Sequence, residues 1–139
     1  YPSFKEEVEI VKNTTSDIKS EVNEVLTAAD IIKIQDLIRK IPVADNVVEY
    51  AVSLVAKTRP DSDIAPEQIK KYLSWGAGPR ASQFLVLAAK AYAAINGKYS
   101  PDIEDVRAVS FPILRHRIVR NYKAEAEGMS LEKLVQSLF

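Results

Sequence analysis

Apolar positions recur at helical spacing through most of the chain. In residues 1–13, Phe4, Val8 and Val11, with Ile10 beside them, are interleaved with Glu6, Glu7 and Glu9, predicting a helix with its acids in the first turns. Residues 14–19 are polar and read as a loop. Val22, Val25 and Leu26 form a short β-tolerant run, predicted to be extended. Thr27, with Asp30 three residues on, predicts an N-cap and a capping-box-like pair. The helix it opens runs to about Lys40, with Ile31, Ile34, Ile38 and Ile41 along one face, and Pro42 ends it. Asp45 is predicted to cap the next helix, which reaches Lys57 with a stripe of Val47, Tyr50, Ala51, Leu54 and Val55. Residues 58–63 are rich in turn formers and read as a loop. Pro66 then opens a short helix holding Ile69, Tyr72 and Leu73.

The longest apolar stretch follows, from Pro79 to Ile95, hydrophobic on nearly every side and rich in alanine, as suits the centre of a bundle. Asn96-Gly97 stops it. Ser100 is predicted to cap the next helix, with Pro101 in its first position and acids following. Val106 and Val109 face inward, and Pro112 is expected to break or kink this helix after Phe111. Ile113, Leu114 and Ile118 continue the apolar pattern. Residues 125–128 read as a loop, and Ser130 caps a last helix carrying Leu131, Leu134, Val135 and Leu138. The pattern predicts an all-α bundle of about six to seven helices, with at most a minor short extended pair, in a single domain over residues 1–139. It contains no internal repeat, heptad seam or low-complexity segment.

Composition narrows the function. A hydrophobic fraction of 47% supports a folded core, and zero net charge argues against a general nucleic-acid binder. With no cysteine and one histidine, His116, thiolate and multi-histidine metal sites are excluded and no metal site is expected. No apolar run spans a membrane and no signal peptide is visible, which suggests a cytoplasmic protein. The first residue is Tyr1, not methionine, so the chain reads as a piece of something larger. Hydrolysing ATP requires a glycine-rich phosphate loop with Lys and Ser/Thr, and acids to hold Mg²⁺. The four glycines, Gly76, Gly78, Gly97 and Gly128, build no such loop. Asp102, Glu104 and Asp105 read as helix-start acids. No ATPase activity is expected of this segment by itself.

The candidate chemistry lies at Gly76-Ala77-Gly78-Pro79-Arg80-Ala81. Gly78 can cap the apolar helix and Pro79 suits its first position. Arg80 then falls in the first turn, where a helix ordinarily favours acids. A guanidinium beside free backbone N–H groups is a plausible phosphate receptor, although a glycine turn with a surface arginine is also common. Trp75, just before the turn, has two readings: a core anchor closing it, or a wall of a nucleotide pocket near adenine or ribose. The basic run of Arg115, His116, Arg117, Arg120 and Lys123 reads as a solvated face, or as ion pairs with Glu6, Glu7 or Glu24, before it reads as a DNA contact.

Several segments in order resemble the C-terminal lid domain of MoxR-type AAA+ ATPases. They are residues 76–81, Leu87-Ala88-Ala89-Lys90-Ala91, Asn96-Gly97-Lys98-Tyr99, Pro101-Asp102-Ile103-Glu104-Asp105-Val106 and Leu114-Arg115-His116-Arg117. Tyr1-Pro2-Ser3-Phe4-Lys5-Glu6-Glu7 is similar to the segment where such a protein's core passes into its lid. The resemblance implies a lid that closes over ATP and Mg²⁺ held by an upstream core. Arg80 would be the sensor-two contact to the γ-phosphate, with Trp75, Gly76, Gly78 and Pro79 around the nucleotide. It also implies contacts with the protein's own core and with neighbouring subunits in a ring, a hexamer by expectation, and a bacterial chaperone-like role toward a client it does not name. Gly78 departs from the family's usual serine, which removes a side-chain cap. The rival reading is a stand-alone helical interaction or adaptor module, in which Arg80 is dispensable and an apolar groove takes a partner helix. A third is a helical DNA binder using Arg115, Arg117 and Arg120.

Overall fold

The computed structural model describes residues 1–17 and 23–139. Val22 and the end of the polar stretch before it lie outside the described residues. Eight α-helices and one two-stranded antiparallel pair occur among those described. The chain divides into two compact units, residues 1–31 and 32–139.

The first unit contains α1 (Phe4–Thr15), preceded by Ser3, whose backbone N–H and hydroxyl both donate to Glu6 Oε2 at 2.7 Å. This hydroxyl bond first, and the backbone bond second, hold the Glu6 carboxyl below its ordinary range. No residue of α1 is buried, and Phe4 and Val11 stand open to solvent. The start of α2 (Ala28–Lys40) follows the predicted pattern: Thr27 Oγ1 donates to Asp30 Oδ2 at 2.6 Å and accepts the Asp30 N–H at 3.1 Å. The extended run expected around Val25 and Leu26 is absent among the described residues, where both side chains are exposed and unpaired in any strand. The isoleucine face of α2 has no buried member either.

The second unit holds the core. Its elements after the end of α2 are α3 (Asp45–Lys57), α4 (Glu67–Tyr72), β1 (Leu73–Trp75), α5 (Pro79–Ile95), α6 (Ile103–Leu114), β2 (Val119–Arg120), α7 (Tyr122–Ala126) and α8 (Leu131–Gln136). α5 packs on both α3 and α6. It does so through Ala81, Leu85 and Ala89, spaced four apart and fully buried, so that small side chains alternate with a large one on the contact face. Val47, Ala51, Leu54 and Val55 of α3 and Val106 and Leu114 of α6 belong to the same buried cluster, as do Ile69, Leu73, Leu134 and Leu138. The helix is therefore central, but not buried all round: Phe84, Tyr92 and Ile95 are exposed. The strands pair Leu73 with Arg120 and Trp75 with Val119, with an irregularity between.

Several predicted boundaries move. Ala44 rather than Asp45 is the N-cap of α3, and Asp45 becomes its first residue, still well placed against the helix dipole. Asp102, not Ser100, caps α6, because its carboxylate accepts the Asp105 N–H at 3.0 Å while Asp105 Oδ2 accepts the Asp102 N–H at 2.9 Å. Ser100 instead donates to the Pro42 carbonyl at 3.2 Å. Pro112 does not end α6. Only one amide donor is lost there, and buried Val106, Ser110 and Leu114 hold the segment helical through Leu114. Glu125 and Ala126 belong to α7 rather than to a loop. The short helices α4 and α8 fall where helices were expected, and α7 brings the count among the described residues to eight, above the six or seven expected.

Candidate functional site

The turn before α5 is fixed by contacts from elsewhere in the second unit. Thr58, at the end of α3, is fully buried; its hydroxyl donates to the Val55 carbonyl at 2.6 Å and accepts the Ala77 N–H at 2.9 Å. Arg59 donates from Nε to the Ala77 carbonyl at 3.0 Å. Gly76 lies against this segment so closely that a Cβ there would come within 2.5 Å of the Thr58 carbonyl oxygen and 2.6 Å of Arg59 Cα. Glycine at 76 is required by that approach of two backbones. Gly78 is different: a Cβ there meets nothing within 4 Å, and its φ of −86° suits any residue. The two glycines of one motif thus serve different ends.

Pro79 occupies the first position of α5, and the first turn contains no acid. Arg80 is exposed and has no hydrogen-bond, ion-pair or ring partner among the described residues. Its guanidinium adds positive charge to a helix end that already carries a partial positive charge and free amide donors. The local field favours an anion. Beside it lies an open cleft of about 700 Å³ lined by Arg59, Pro60, Asp61, Ser62, Ser74, Trp75 and residues 76–79. The sequence-predicted Trp75, Gly76, Gly78 and Pro79 therefore share one cleft, while Arg80 is not part of its lining. Trp75 is 71% exposed. The core-anchor reading of the tryptophan is overturned, because its side chain projects from a short strand and stays wet.

Arg59 and Thr58 were missed by sequence reasoning. They sit in a stretch read only as a loop, and the signal that singles them out, contact with a turn 18 and 19 residues later, exists only once the chain is folded.

The basic run is used within the fold. Arg117 Nη1 donates to the Ile113 carbonyl, touches the His116 ring and stacks its guanidinium 5.1 Å from the Phe84 ring centroid. Arg115 lies over Phe111, and Arg120 donates to the Met129 carbonyl at 2.8 Å. Backbone carbonyls and aromatic faces, not carboxylates, are the close partners of these three arginines. Among the described residues no group of three or more His, Asp or Glu side chains could hold a metal ion, and no helix is long and apolar enough to cross a membrane.

Comparison with known proteins agrees with this geometry. Over 135 residues the chain is 30% identical to the chaperone MoxR1 of Mycobacterium tuberculosis, covering 97% of this chain and 36% of that protein. It is 28% identical to the uncharacterized YeaC of Bacillus subtilis, covering 99% of this chain and 41% of that protein. The chain thus spans well under half the length of these relatives. A crystal structure from Cytophaga hutchinsonii, provisionally assigned as an ATPase, superposes with a TM-score of 0.83 at 29% identity, over 99% of this chain and 42% of its own. Residues 66–138 match the AAA lid domain model, and this stretch contains the glycine turn, α5 and the capped start of α6. The chain belongs to the AAA lid domain family.

Proposed function

We propose that this lid closes over ATP bound by the nucleotide-binding core of its parent protein and that Arg80 contacts the γ-phosphate. The observation that carries the reading is the unpaired, exposed Arg80 in an acid-free first turn of α5, with that turn tied down by Thr58 and Arg59. An arginine held at a helix start, with its donors free, suits a phosphate oxygen. Charge at that oxygen changes on hydrolysis and phosphate release. An Arg80 contact that differs in strength between the two states supplies the differential binding energy that turns a lid.

The residues fit the phosphates and the cleft edge of the nucleotide: Arg80 for the γ-phosphate, Trp75, Gly76, Gly78 and Pro79 nearby. They do not fit Mg²⁺, for which the upstream core would supply the acids. The reading takes residues 1–139 as one helical lid segment of a cytoplasmic bacterial protein. Its partners are the protein's own core and neighbouring subunits of a ring, taken as hexameric. Hydrolysis in that ring would drive chaperone-like remodelling of a client.

ATP turnover by the polypeptide that includes the core, wild type against Arg80→Ala, tests the proposal. Loss of one transition-state charge contact should cost on the order of tenfold to a thousandfold in rate with the fold intact. Unchanged turnover and affinity would reject it. One observation favours the adaptor reading: an apolar groove of about 630 Å³ between α3 and α5, with Val48, Val52, Phe84 and Val86 in its lining and Arg39 and Lys90 beside them. If Arg80→Ala is silent and Phe84→Asp abolishes capture of a partner helix, that reading replaces the sensor.

A further inference from the structure

Gly78 caps α5 without a side-chain bond, so no side chain of the turn itself ties the helix start that carries Arg80 to the rest of the fold. What fixes the turn is one residue, Ala77, held through the two successive peptide groups on either side of its Cα. The Ala77 N–H goes to the buried Thr58 hydroxyl at 2.9 Å, and the Ala77 carbonyl takes Arg59 Nε at 3.0 Å. The Thr58 hydroxyl is itself anchored, because its proton goes to the Val55 carbonyl of α3. The Gly76 backbone packs directly on Thr58 and Arg59, which leaves the turn no room to slide toward them. Two residues beyond Ala77, Pro79 starts the helix, and Arg80 follows. The end of α3 therefore determines where the α5 start sits.

Resting on the reading of Arg80 as the phosphate contact, we propose that Thr58 and Arg59 are positioning residues for Arg80. They hold the backbone of Ala77 on both sides so that the first turn of α5, and the guanidinium on it, meets the phosphate in one orientation. Neither needs to touch the nucleotide to do this. Displacements near 1 Å from remote changes lower rates by on the order of a hundredfold where geometry is critical, so a clamp of two hydrogen bonds is enough to matter.

The test is a double-mutant cycle in the full-length ATPase, measured well below each variant's melting temperature. Thr58→Val keeps the shape but removes the acceptor for the Ala77 N–H, whereas Thr58→Ser keeps it. Turnover should fall about tenfold in Thr58→Val, with KM for ATP changing much less, and Thr58→Ser should restore it. In an Arg80→Ala background Thr58→Val should cause little further loss, because residues acting as one unit are not additive. If Thr58→Val does not fold, Arg59→Ala enters the same cycle, since its exposed side chain loses only the bond to Ala77. Fully multiplicative losses would overturn the clamp, as would unchanged turnover in Thr58→Val or Arg59→Ala while Arg80→Ala collapses. That second result leaves the sensor reading intact. A silent Arg80→Ala defeats the sensor reading, and the clamp with it.

Discussion

The two ends of α5 are built on opposite plans. At the C-terminal end Gly97 takes a φ of 74°, its N–H reaches the Ala94 carbonyl at 3.1 Å and the Lys98 N–H reaches Ala93 at 2.9 Å. That is a Schellman cap. Asn96 Nδ2 adds a bond to the Tyr92 carbonyl at 2.8 Å. Lys98 then bridges to Asp102 at 3.0 Å and to the buried Asp105 at 2.9 Å, joining the end of α5 to the start of α6. At the N-terminal end there is no side-chain cap and no acid in the first turn, and Arg80 has no partner among the described residues. Among the described residues, the side chains that anchor this end reach in from Thr58 and Arg59. One end satisfies its polar groups locally. The other leaves its donors and its cation available, and takes its rigidity from a distant part of the chain, as a binding surface must if its own groups are to stay free for a ligand.

The largest effect should come from the anchoring of the N-terminal end. Gly76→Ala places a Cβ 2.5 Å from a backbone oxygen and 2.6–2.7 Å from the Arg59 backbone, none of which is a flexible side-chain tip. We expect a loss of about 3 kcal/mol, the upper range for overpacking, seen as a large fall in the denaturant midpoint with unchanged slope. A fall below about 1 kcal/mol would mean that the turn yields easily and does not position anything.

At the other end the most damaging single change should be Asp105→Ala. Its carboxylate is 1% exposed, accepts the Asp102 N–H and pairs with Lys98. Removing it leaves those donors short of an acceptor, at a cost of about 2 kcal/mol, because Lys98 remains partly solvated and its share of the pair is screened. Acid should act on the same junction. The Asp102 carboxyl is held below its ordinary 3.8, first by the bond from Lys98 and then by the Asp105 N–H. In the second unit Glu127 is likewise held below 4.5, first by the Tyr72 hydroxyl and then by Lys71. A carboxyl depressed in the folded state stabilises fully above its ordinary pKa and loses that contribution as pH falls through the folded value. The melting temperature should therefore decline as pH drops below about 4, and Glu127→Gln should flatten part of that decline. An identical slope in the variant would show that Glu127 is not linked to folding.

The contrast between the ends also explains what was legible in the sequence. The C-terminal stop of α5 is a local code, Asn-Gly, and it reads correctly. So do the stripe of α3, the Thr27–Asp30 pair and the Ser130 cap, whose hydroxyl accepts the Lys133 N–H at 3.3 Å. Each depends on residues three or four apart. The short pair of β1 and β2 joins Leu73 to Arg120 across 47 positions and carries too few residues for a periodic signal. Trp75 misleads because a lone tryptophan is usually credited with burial, whereas here it stands on a strand edge. Pro112 misleads because packing outweighs one missing amide. In the site itself, Pro79 as first residue and Arg80 in the first turn were legible. The dependence of that turn on Thr58 was not, since it exists only through closure of the fold.

Two glycine substitutions sharpen the comparison at small scale. Gly97→Ala forces a side chain into φ 74° with free space around it, so the cost is conformational alone, about 1 kcal/mol. Gly78→Ser acts in the opposite direction. The position is open, its φ and ψ of −86° and 178° are those of an N-cap, and a serine hydroxyl there can accept an amide proton from the first turn of α5. Since glycine is itself a fair cap, the gain should be a few tenths of a kcal/mol, about 0.3, read as a small rise in melting temperature. If the added oxygen only caps, turnover of the full-length protein should hold steady or fall slightly, because one donor facing the phosphate is now occupied. A rise in turnover would instead mean that the hydroxyl contacts the nucleotide, and that the N-terminal end of α5 is missing a ligand group, not merely a cap.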